Sequence, residues 1–175
     1  MKFPDISDFH NNSDLLFIAL GTLVTDVIVL FLTRYNPNIF GEALNIWYDK
    51  FGLSAVLSDV TVIMIGFQIT RYLYTTFIAP RSPLYFLALL VIVQAIHDIF
   101  FFLAVIVPLP EGLNQMIDVF KSYAKGGTKI IGGDALLMIS SFGLATLFKG
   151  NPEHIAASTT LVTLYTLPYI LYNRH

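Results

Sequence analysis

Four aspartates, Asp26, Asp59, Asp98 and Asp134, stand inside or at the edge of long apolar runs of this chain. Gln94 and His97 precede Asp98 by four residues and by one, so on a helix the three share one side. An ionisable residue at the centre of a membrane span costs about 2.5–3.5 kcal/mol on insertion scales, and four facing lipid would together cost roughly 10 kcal/mol. That sum rivals the stability of a whole domain, so these groups must face an interior, a partner or a water-filled cavity. Three chemistries fit the set. Neutral carboxyls, or carboxylates bonded to Gln94, His97 and nearby hydroxyls, pair helices and do nothing more. The same groups in a row carry protons or cations, the default reading of intramembrane acids. His97 with two or more aspartates could also hold a divalent metal and activate water. A single central histidine is thin for that, the His-rich boxes of membrane desaturases are missing, and neither a metal nor a cofactor is expected.

Other polar residues fall near this layer. Thr22 lies four before Asp26, Ser58 adjoins Asp59 with Thr61 and Gln68 further along, and Ser141 follows Asp134 by two turns. Thr159, Thr163 and Thr166 recur at helical spacing, although threonine often bonds only its own backbone. His10, His154 and His175 fall outside the apolar runs and serve no site. Arg71, late in its run, is expected to snorkel to the interface, since the four aspartates lie toward the opposite side.

The elements that must position these groups follow from composition. Of 175 residues, 55% are hydrophobic and only 13% charged, with a mean hydropathy of +0.69. A soluble domain carries about a quarter charged residues, and here the deficit falls in blocks. A span needs about 20 mostly apolar residues. Five stretches qualify or nearly so: Asp14 to Thr33, Leu53 to Ala79, Leu84 to Val107, Ile130 to Phe148, and the shorter Ile155 to Tyr172. They are too long and too uniformly apolar for barrel strands. Residues 1–13 read as a short polar tail. They lack the basic start and apolar core of a cleavable signal peptide, and Asn11-Asn12-Ser13 is a sequon of a kind that chance supplies often. The net charge of −2 offers no footprint for nucleic acid, and the lack of cysteine removes disulfides and thiolate sites.

Two connecting segments have amphipathic spacing. Ile39, Phe40, Ala43, Leu44, Trp47 and Phe51 alternate with Glu42, Asn45, Asp49 and Lys50; Leu113, Met116, Ile117, Phe120 and Tyr123 oppose Asn114, Asp118, Lys121 and Lys125. Both read as interfacial helices with Trp47, Tyr48 and Tyr123 at headgroup level, or else as a hairpin docked on a partner. Gly126-Gly127 and Gly132-Gly133 flank Lys129 without a phosphate-loop ending and read as a flexible lead into the fourth span.

The pattern also repeats. Thr25-Asp26 and His97-Asp98 are each followed by a turn, a Leu-Asn pair (Leu44-Asn45, Leu113-Asn114) and an amphipathic helix. A glycine then precedes Asp59 or Asp134 by seven residues. This gives two parallel units of span, interfacial helix, span, over 14–80 and 84–149, with a fifth helix at 155–172. Threading places all four aspartates on one side of the midplane. Positive charge at Arg34, Lys50, Lys121, Lys125 and Lys129 favours a cytoplasmic side for the interfacial helices.

The stretch from Leu44 to Asp59 (LNIWYDKFGLSAVLSD), together with Asp118 to Lys125 (DVFKSYAK) and Gly132 to Met138 (GGDALLM), resembles multi-pass membrane proteins of large double-stranded DNA viruses of algae and protists. The resemblance implies a place in the membrane beneath an icosahedral capsid, or in a host endomembrane, with minor capsid proteins as partners. The expectation is therefore an all-α polytopic bundle of four or five spans with a non-enzymatic assembly role, its partners, or a second copy of itself, meeting the interfacial helices through Trp47, Tyr48, Phe120 and Tyr123. The alternative is a small proton- or cation-coupled transporter or channel using Asp26, Asp59, Asp98, Asp134, His97 and Gln94.

Overall fold

The computed structural model describes residues 4–36, 39, 42–124 and 128–173, and all regular structure among them is helical. The order is α1 (Asp14–Tyr35), α2 (Glu42–Phe51), α3 (Leu53–Phe77), α4 (Pro83–Phe101), α5 (Gln115–Ala124), α6 (Thr128–Lys149) and α7 (Glu153–Leu171). Lipid offers no hydrogen bonds, so apolar runs of this length must satisfy their backbone within helices. Four are long and apolar enough to cross a membrane: α1, α3, α4 with the turn that follows it, and Ile131–Lys149 of α6. The protein is a multi-pass helical membrane bundle. A long, a short and a long helix follow one another twice, as α1-α2-α3 and α4-α5-α6.

Local chemistry sets the boundaries. Pro83 opens α4, where its missing N–H costs nothing. Gly52 joins α2 to α3 with φ +53°, a left-handed conformation glycine adopts without a side-chain clash. Past Asp98, α4 widens into a π-helical turn at Phe102–Ile106, closed by Val107 N–H donating to Phe102 O at 2.9 Å. Gly132 and Gly133 lie within α6, so they are helix and not the flexible lead expected; Gly126 and Gly127, like Lys125, lie outside the described residues.

α1 is the central helix, packed against α3, α6 and α7, and α4 closes the bundle against α3 and α6. α1 comes close to α6 at Gly21, where an added Cβ would stand 2.6 Å from Ala145 N and 2.8 Å from Ser141 O. Small residues of this kind let membrane helices approach closely. α7 lies along α1 from end to end. Ala156 clusters with Leu20 and Phe148 at one end, and Leu171 O accepts from Arg34 Nη2 at 3.0 Å at the other. α7 is not among the four helices apolar enough to cross, and Thr166 bonds the carbonyls of its own helix.

Residues 4–13 are docked and do not form a free polar tail. Ile6, 1% exposed, joins the apolar cluster of Phe67, Tyr74, Phe86 and Phe142. Phe9 N–H donates to Thr75 Oγ1 at 3.0 Å, and Thr75 donates to Ser7 O at 3.2 Å. Arg71 is the main fastener. It does not snorkel; it is fully buried and donates to Asp8 O, to Asn11 O at 2.7 Å and to Gln68 Oε1 at 2.6 Å. Its ion pair, at 3.9 Å, is with Asp14, which also pairs with Lys149. A buried guanidinium needs acceptors for its five N–H groups; two carbonyls of the irregular segment and Gln68 Oε1 each take one. Gln68 thus belongs to this end of the bundle and not to the acidic layer.

Asp5 fixes the far end of the segment, accepting from the Ser7 N–H at 2.8 Å and the Ser7 hydroxyl at 2.6 Å. Burial opposes its charge, but those bonds, with Lys149 and Arg81, outweigh it and hold its carboxyl below the ordinary value. A lowered folded-state value means that its stabilisation is complete above the unfolded pKa and is lost as pH falls through the folded one. Proteolysis within residues 4–13 is expected to accelerate on acidification below the ordinary carboxylate range. In Asp5→Asn it should be faster at neutral pH, with a flatter acid response.

A carboxyl-lined cavity beneath the amphipathic helices

The four aspartates come from four helices and meet around one cavity of about 340 Å³. With the π-helical turn counted as part of α4, they lie six to nine residues from the helix ends nearest α2 and α5, or roughly 9–14 Å at 1.5 Å per residue. Every site residue expected from the sequence lines this space: Asp26, Asp59, Gln94, His97, Asp98, Asp134, and from the amphipathic helices Trp47, Tyr48, Phe120 and Tyr123.

The aromatic residues of α2 and α5 face inward, contrary to the headgroup position expected of them. Trp47 and Tyr48 are 4% and 2% exposed. The physical reason is the polar tip each ring carries. Trp47 Nε1–H donates to Asp59 Oδ2 at 2.9 Å, and the Tyr48 hydroxyl donates to Asp26 Oδ1 at 3.0 Å. The amphipathic pattern marks an apolar face, and the carboxylates inside the bundle make that face turn inward. Trp47 also packs on Phe120 with centroids 4.8 Å apart, and Phe120 meets Phe101 edge-on at 6.0 Å, so the rings of α2, α5 and α4 form one aromatic wall.

On the α4 side, Gln94 Nε2 donates to Asp98 Oδ1 at 2.7 Å, and His97 Nδ1 lies 3.2 Å from the same oxygen. Accessibility is graded across the set. The His97 and Asp98 side chains are 33% and 21% exposed, whereas Asp26 is 1% exposed and Gln94 6%. Three buried acceptors of the set, Asp26 Oδ2, Gln94 Oε1 and Asp98 Oδ2, have no hydrogen-bond partner among the described residues.

The phenols remain neutral. Burial pushes the Tyr48 hydroxyl well above its ordinary value, with Asp26 and Asp59 adding to the effect. Burial, then Asp134, Asp59 and Asp98, raises Tyr123 in the same direction. Both therefore serve as donors or neutral walls at physiological pH.

Toward residues 4–13 the cavity ends on packed apolar side chains. Ile63, Phe67, Leu90 and Met138, all 4% exposed or less, fill the bundle there. Among the described residues no three His, Asp or Glu side chains are placed to hold a metal ion. Phe101 was not singled out from the sequence. Its place four residues after His97 on one helix side, where the rings now stack at 5.9 Å, was the available signal.

Comparison with protein-family models, with curated proteins and with solved structures finds no match to this chain.

Proposed function

We propose that the protein binds a cation in the carboxyl-lined cavity and moves it, or protons, across the membrane. The observation that carries this reading is the convergence of Asp26, Asp59, Asp98 and Asp134, from four helices, on one cavity, the placement expected of intramembrane acids that serve an ion or proton path. The graded exposure from His97 and Asp98 inward to Asp26 gives a route from the α2/α5 side. The Ile63, Phe67, Leu90 and Met138 cluster is the barrier that has to part for transfer.

An assembly role at the amphipathic helices would rest on two of its four expected anchors, Phe120 and Tyr123, because Trp47 and Tyr48 are buried within the bundle. A capsid protein or other partner would have to bind what α2 leaves exposed: Glu42, Ile46, Asp49 and Lys50.

Purified protein in liposomes is expected to pass protons or monovalent cations, and Asp98→Asn, nearly isosteric, to lower that flux tenfold or more with its melting temperature little changed. Equal flux in both proteins, or none in the wild type, sinks the reading and leaves the carboxyls as helix-pairing groups.

A further inference from the structure

We infer that the ligand of this cavity is an organic ammonium ion, an amine carrying a small alkyl body, and not a bare metal cation. The inference rests on the cation-binding reading above and specifies its ligand.

The first argument is size. A cavity of about 340 Å³ falls in the range of small-molecule sites, about 300–1,000 Å³. At about 30 Å³ of liquid volume per water, a bare ion would leave most of that space to be filled by some ten waters. A dehydrated metal ion instead needs several oxygens converging within about 2.0–2.6 Å. Among the described residues no group of three acidic or histidine side chains is so placed.

The second argument is the composition of the walls. One wall is the aromatic corner of Trp47, Phe120 and Phe101, with centroid separations of 4.8 and 6.0 Å and interplanar angles of 45° and 85°. All three residues line the cavity, and an aromatic ring attracts a cation held over its face within about 6 Å of the centroid, the interaction that recognises alkylated ammonium groups. Apolar side chains from α1, α3 and α6 (Val29, Val62 and Leu137) line the remainder and suit alkyl carbon rather than a hydration shell.

The third argument is the charge of the lining. Asp26, Asp59, Asp98 and Asp134 all border the cavity, and a carboxylate there both balances an ammonium ion and accepts its N–H.

The chain supplies its own reporter, since Trp47 is its only tryptophan and lines the site. Trp47 emission of the protein in nanodiscs would be titrated, at constant ionic strength, with dimethylammonium, methylammonium, sodium and potassium chlorides and with neutral tert-butanol. A saturable shift is expected for the ammonium ions, with at least tenfold weaker responses to sodium, potassium and tert-butanol. Asp26→Asn should weaken the response at least tenfold. Phe120→Leu, which keeps an apolar side chain but removes the ring face, should weaken dimethylammonium severalfold while the melting temperature shows the variant folded. A response to sodium or potassium as strong as to the ammonium ions overturns the inference and leaves the cation reading standing, as does flux in liposomes without any emission shift. An equal response to tert-butanol also overturns it, by showing a merely apolar pocket. No shift with any cation and no flux removes both readings together.

Discussion

Arg71→Met should lower stability by about 3–5 kcal/mol and free residues 4–13 from the bundle. The guanidinium is fully buried and holds that segment through the carbonyls of Asp8 and Asn11, contacts a thioether cannot replace. Its loss also strips Asp14, likewise fully buried, of one of its two cationic partners. Most of the cost arises from what is left behind, an under-compensated buried carboxylate, and not from the intrinsic strength of the lost pair. The double variant Arg71→Met with Asp14→Asn should accordingly recover a substantial part of the loss, a non-additivity expected of groups in one network. Denaturation of the protein in mixed micelles gives the stability, and limited proteolysis reports the release of residues 4–13. A single variant within about 1 kcal/mol of wild type, with the segment still protected, would contradict the role given to Arg71.

The second large effect is expected at the crossing of α1 and α6. Gly21→Leu should cost about 3 kcal/mol or unfold the protein outright, the upper part of the range for overpacking. What its Cβ meets is backbone, Ala145 N at 2.6 Å and Ser141 O at 2.8 Å, and no rotamer change moves a backbone atom. Gly132→Ala is the matched control on α6, since nothing lies within 4 Å of the position. It should leave stability unchanged or raise it by up to about 1 kcal/mol, as alanine is the better helix former. If both substitutions cost the same, close packing at Gly21 is not what holds α1 against α6.

How far the sequence was legible depends on which groups carried the contacts. Asp26, Asp59, Asp98 and Asp134 were readable as one layer because antiparallel helices of known rise fix the depth of each side chain. The structure brings all four to one cavity. The amphipathic spacing of α2 and α5 was equally plain, but it gives a face without saying what the face meets. The donors on Trp47 and Tyr48, opposite unpaired carboxylates, were the clue that this face turns to the bundle interior. The docking of residues 4–13 was hidden, because Arg71 holds it through backbone carbonyls, which leave no trace in side-chain pattern. A trace did exist at the charged ends: Asp14 opening α1, Arg71 late in α3 and Lys149 closing α6 come level under the same threading, and a buried arginine needs such company. The extent of α7 was the hardest to read, since its threonines and tyrosines dilute a helix that nonetheless lies along the whole of α1.

The fastening of residues 4–13 also orders the chain in time. Their anchors lie far along the sequence: Arg71 is 63 residues beyond Asp8, and Lys149 is 144 beyond Asp5. Contacts of such separation form late, because the intervening chain has to be closed before they reward it. During synthesis the segment leaves the ribosome before any of its anchors exist, and it has to wait until α6 has been made and inserted. Residues translated before α1 are thus among the last to settle, and their docking marks the completion of the bundle from α1 to α6.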